Sequence, residues 1–96
     1  MNSADISNKG TQTITVHVRF FARLRETLDT DILTLELPSG STAGDLFEQL
    51  ADQGGPWAEL RDGKPVMIAI NQSMARPART LDDGDEVALF PPVTGG

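Results

Sequence analysis

The chain has 96 residues, 39% of them hydrophobic, which is enough for one domain around a single core and too little for two. Eight basic against fourteen acidic residues leave a net charge of −6, which argues against nucleic acid and anionic membranes as partners and for a basic protein surface if the partner is charged. With no cysteine and a lone histidine, His17, the sequence offers no disulfide, thiol nucleophile, persulfide or metal centre. No stretch is long and apolar enough for a transmembrane helix, and residues 1–12 lack the basic start and apolar run of a signal peptide, so a cytoplasmic protein is expected.

Residues 1–12 are polar and without apolar period, which predicts a disordered leader; the folded domain is expected over residues 13–90. From Thr13, Ile14, Val16, Val18 and Phe20 alternate with Thr15, His17 and Arg19, the period-2 pattern of a strand with one buried face. His17 falls on the solvent side. Phe21 is out of phase with the buried set and is expected to emerge. Arg23-Leu24-Arg25-Glu26 then lead into a polar connection, Thr27 to Thr30, and the basic cluster of Arg19, Arg23 and Arg25 reads as solvated strand-end charge ahead of the alternative, a docking site.

Leu33, Leu35 and Leu37 alternate in a second strand that pairs with the first as a hairpin and stops at the turn Pro38-Ser39-Gly40. Ser41 or Thr42 can cap a helix whose stripe is Leu46, Phe47 and Leu50, with Asp45 in its first turn and Gly54-Gly55-Pro56 as its stop. Trp57 and Leu60 lie in a short helical segment, Arg61-Asp62-Gly63-Lys64 reads as a turn, and Val66 to Ile70 as a strand buried on both sides. Asn71 ends that strand, and Met74 stands in a polar loop, exposed. Asp82-Asp83-Gly84-Asp85 lacks the spacing and distal glutamate of a calcium loop and reads as a turn with glycine at positive φ. Glu86 to Phe90 forms the last strand; with Val87 and Leu89 buried, Phe90 faces outward.

The order strand, strand, helix, strand, strand is an α+β arrangement: a mixed sheet with one main helix packed on one face, the β-grasp or ubiquitin-like plan. Beyond it lies the tail, residues 91–96, Pro91-Pro92-Val93-Thr94-Gly95-Gly96. The two prolines stiffen its root and the two glycines leave its tip unhindered. Extended, six residues reach about 20 Å. A carboxylate on such a tip can enter another protein's active site. Phe21, Met74 and Phe90, all out of phase with the core, would form a docking surface if the fold brings them together.

Three segments carry a family resemblance: Arg19-Phe20-Phe21-Ala22-Arg23-Leu24-Arg25-Glu26, the pair Asn71-Gln72, and the run from Asp83 to Gly96. Together they resemble the small, sulfur-carrying subunit of molybdopterin synthase, from about Thr13 to the end. The resemblance implies a carrier with no permanently bound cofactor and no catalytic activity alone. A ubiquitin-activating-like adenylyltransferase would use ATP and magnesium to adenylate Gly96, and a sulfur donor protein would replace AMP to leave a thiocarboxylate. The large catalytic subunit would then receive the tail, and the sulfur would pass to cyclic pyranopterin monophosphate. By the same resemblance Phe21, Met74 and Phe90 contribute to docking, and Pro91, Pro92, Val93, Thr94 and Gly95 line the partner's channel. A thiamine-type sulfur carrier, a protein modifier conjugated through Gly96 and a purely structural interaction module share this plan.

Overall fold

The computed structural model describes residues 12–63 and 65–92. Its sheet is built from β1 (Thr13–Phe20), β2 (Ile32–Pro38), β3 (Met67–Ile70), β4 (Ser73–Met74) and β5 (Glu86–Phe90), in the spatial order β2-β1-β5-β3-β4. β1 pairs antiparallel with β2 and parallel with β5, while β3 pairs antiparallel with both β5 and β4. The sheet is therefore mixed, with the last long strand in its middle. This is the β-grasp topology expected from the order of elements.

One face of the sheet is the core. Ile14, Val16, Val18 and Phe20 of β1, Val87 and Leu89 of β5, and Ile68 and Ile70 of β3 are buried there, and Leu37 closes the β2 side. The main helix, α2 (Ala43–Ala51), follows the short α1 (Arg23–Leu28) and covers this face with Leu46 and Leu50, both fully buried. Its start is set by a capping box: the Thr42 hydroxyl accepts from Asp45 N–H, and the Asp45 carboxylate accepts from Thr42 N–H. Such a cap contributes about 1 kcal/mol. Thr42, not Ser41, is thus the cap; the Ser41 hydroxyl turns back to the Pro38 carbonyl at 2.6 Å. A 3-10 turn (Gly55–Ala58) and α3 (Glu59–Asp62) finish the helical layer, with Trp57 edge-on to Phe20 at 5.6 Å between centroids. Arg61 of α3 donates to Glu48 and Asp52, one turn apart, and these hydrogen bonds hold its guanidinium above its ordinary pKa.

The structure differs from the sequence reading in four places. Arg23 to Glu26, read as leading into a polar connection, and Thr27 and Leu28 of that connection form the helix α1, whose Leu24 and Leu28 bury against the core at a four-residue spacing. Its end carries Asp29 at φ 52°, with Asp29 N–H to Glu26 and Thr30 N–H to Arg25, so an aspartate holds the place where glycine would signal a stop. Arg61 and Asp62, read as a turn, complete α3. Met74, read as loop, belongs to the two-residue strand β4. Finally, β3 begins at Met67 rather than Val66. Residues 1–11 of the leader read over 1–12, Lys64 of the turn, and Val93 to Gly96 of the tail lie outside the described residues.

Candidate functional site

The other face of the sheet points away from the helices. Pairing places Ile32 opposite Arg19, Arg19 opposite Ala88, Ala88 opposite Ala69 and Ala69 opposite Met74, so these five residues form one row across it. Met67 stands opposite Phe90 in the next row. Phe21 continues this second row from β1: its N–H donates to the Leu89 carbonyl at 3.1 Å, and its ring packs under the Arg19 guanidinium, 5.4 Å from carbon to centroid. The fold therefore brings Phe21, Met74 and Phe90 to a single face. Phe21 is 37% exposed and Met74 59%, while Phe90 is half-buried.

Ile32, 55% exposed, and the half-buried Met67 belong to the same face and were not singled out from the sequence. Ile32 carried a usable signal: it precedes Leu33 and so sits out of phase with the leucines of β2. Met67 had none, because β3 is apolar on both sides. Pro91 and Pro92 leave β5 from the Phe90 end of this surface and are themselves half-buried. Gly96, with Val93, Thr94 and Gly95, lies beyond the described residues.

Two local devices fix the two ends of this face, the first at the start of β5 and the second beside its Phe90 end. The hairpin between β3 and β4 turns on Asn71 and Gln72 alone, both at positive φ (50° and 72°), the geometry that matches strand twist. The Asn71 side chain then ties the turn to β5: Nδ2 donates to Asp85 Oδ1 at 2.9 Å and Oδ1 accepts from Glu86 N–H at 3.0 Å. Asp85 in turn accepts from Asp82 N–H, and Asp83 accepts from Thr15 N–H at 2.7 Å. The aspartate run is thereby a hydrogen-bonded turn with Gly84 at φ 88°, and no cluster of metal-ligating side chains is found among the described residues.

The second device is Ala22, at φ 55° and ψ −133°, between Phe21 and α1. With Leu24 N–H bonded to the Phe21 carbonyl at 3.2 Å, this is the first central position of a type II′ turn, where glycine is the default. The strained alanine reverses the chain sharply after Phe21, so that the phenylalanine stays on the sheet face while Leu24 enters the core. A groove of about 560 Å³ on the helical side, lined by Thr42, Asp45, Phe47, Glu48, Val66 and Pro77, has both its carboxylates committed, Asp45 to the helix cap and Glu48 to Arg61. No helix among the described residues is long and apolar enough to cross a membrane.

A β-grasp domain with an apolar outer face at the exit of its last strand is a carrier architecture of the ubiquitin-like kind. The chain belongs to the ThiS family, whose model matches residues 18–96. It is 43% identical over 84 residues to the molybdopterin synthase sulfur carrier subunit of Escherichia coli, covering 84% of this chain and 99% of that one. The subunit of the same name from Haemophilus influenzae is 40% identical over 81 residues, with the same coverage. Among solved structures, a putative molybdopterin converting factor subunit 1 from Pyrococcus furiosus superposes with a TM-score of 0.74 at 30% identity, over 83% of this chain and 99% of that one. Small archaeal modifier protein 1 from Haloferax volcanii gives 0.71 at 28% identity, with 83% and 99% covered. A complex of subunits 1 and 2 of the molybdopterin-converting factor from Helicobacter pylori gives 0.62 at 25% identity, with 86% and 100% covered.

Proposed function

We propose that this chain is the sulfur carrier of a molybdopterin synthase and that the carboxyl group of Gly96 is its working group. What carries the reading is the position of β5: paired to β1 on one side and β3 on the other, it gives the tail a rigid root beside an exposed apolar face. A carrier needs that combination, because its tip must enter another protein while the body is held outside. The names of its relatives, at 40–43% identity, supply the pathway.

In the proposed cycle an adenylyltransferase of the ubiquitin-activating type joins the Gly96 carboxylate to the AMP portion of ATP, with magnesium, and releases pyrophosphate. Adenylation is required because a bare carboxylate has no good leaving group. A sulfur donor protein then supplies the sulfur that displaces AMP, leaving a C-terminal thiocarboxylate. The large catalytic subunit of the synthase takes the tail, and the sulfur passes to cyclic pyranopterin monophosphate. Phe21, Met74 and Phe90, with Ile32 and Met67, form the docking face, and Pro91 to Gly95 thread the partner. The complex of the two subunits from Helicobacter pylori, one of which shares this fold, supports such a pairing.

A second reading, a modifier joined through Gly96 to lysines of other proteins, is favoured by the likeness to small archaeal modifier protein 1. Mass spectrometry of the intact chain made with its activating partner separates the two. A carrier gains the mass difference between sulfur and oxygen at Gly96, and adding one residue after Gly96 abolishes sulfur transfer while the fold persists. Ladders of conjugates, or a fully active extended chain, would refute the carrier reading.

A further inference from the structure

Arg19 is the one charged residue in the row Ile32, Arg19, Ala88, Ala69 and Met74, with Glu86 on the same face two residues before Ala88. Its neighbours across the strands are Ile32 and Ala88. The guanidinium is stacked on Phe21, and its only ionic contact among the described residues is Glu86 at 3.6 Å, longer than a hydrogen bond. Its Nε is shielded from solvent and has no hydrogen-bond partner among the described residues. The side chain as a whole remains 41% exposed. The charge is therefore held in place by packing, with most of its donor capacity left to water.

Docking on this face strips that water away. A wholly apolar partner surface would bury a charge without compensation, which opposes binding. A carboxylate placed over the free end of the guanidinium would replace the lost water with charge-assisted hydrogen bonds. Resting on the carrier reading, we infer that the partner's docking surface presents an aspartate or glutamate within its apolar area, opposite Arg19, and that this pair selects the cognate large subunit. The chain's net charge of −6 suggests a basic partner surface; at the centre of the docking face the complementarity is reversed. Glu86, the internal competitor for the guanidinium, limits the strength of the pair.

The test is calorimetric titration of the purified large subunit with the full chain and its variants at low and high salt. Arg19→Leu is expected to bind at least tenfold more weakly, about 1.4 kcal/mol, and to lose much of the salt dependence, with its thermal midpoint unchanged or raised. Arg19→Lys keeps part of the affinity, and Glu86→Gln binds as tightly as the parent or more tightly. Equal or tighter binding by Arg19→Leu, with the parent's salt dependence, overturns the inference. Should Arg19→Leu fail to fold, Arg19→Lys decides: full affinity with unchanged salt dependence counts against a carboxylate fork. Phe90→Ala separates this from the underlying reading. If that variant weakens binding and Arg19→Leu does not, the face is the docking site and the carboxylate is absent; if neither changes affinity, the docking face itself is wrong.

Discussion

Met74→Ala isolates docking from folding. Met74 is 59% exposed, and its strand β4 is held to β3 only through two register pairs, so truncation removes little that the folded chain needs. An exposed substitution of this kind changes stability by about 0.5 kcal/mol or less, and the thermal midpoint by less than about 4 °C. A partner that covers the face, however, gains the burial of the exposed portion. Complete burial of a methionine contributes about 1.5–3 kcal/mol, and the exposed share of it is about 1–2 kcal/mol, or about 5- to 30-fold in Kd. Titration calorimetry against the large subunit, paired with differential scanning calorimetry of the free chain, reads both numbers. Affinity within about twofold of the parent, or a stability loss exceeding the binding loss, would show that Met74 lies outside the interface or supports the fold. Phe90→Ala, made alongside, should lose affinity and also some stability, because Phe90 is already half-buried against Met67's row.

Two further substitutions probe the local devices. Asn71→Ala should cost about 2–3 kcal/mol, or about 10–20 °C in thermal midpoint, because Asp85 and the Glu86 N–H lose their partner and alanine is forced to φ 50°; a midpoint within a few degrees of the parent would count against the latch. Ala22→Gly should instead raise stability by about 1 kcal/mol in denaturant titration, since glycine adopts φ 55° and ψ −133° without strain, and a loss of stability would show that the methyl group is needed where it stands.

Much of this architecture can be read directly from periodicity. The alternation in β1, β2 and β5 assigns Val16, Val18, Leu37, Val87 and Leu89 to the core and sends Phe21 and Phe90 to the opposite face, because neighbouring side chains in a strand point oppositely. The helix start at Thr42 follows from side-chain chemistry three residues apart. The helix α1 was illegible for a local reason: six residues hold only one buried pair, Leu24 and Leu28, and its stop is an aspartate rather than a glycine.

Chain order and alternation decided which side of each strand is apolar, since those are properties of consecutive residues. Which strands lie side by side is decided by contacts far apart in sequence: β5, the last strand of the chain, lies between β1, the first, and β3. That insertion puts Phe21, Met67, Met74 and Phe90 on one surface, with Ile32 completing it from β2 and Arg19 at its centre. No window of the sequence contains that surface. It exists because hydrogen-bonded registers between distant strands align side chains that the chain itself keeps apart.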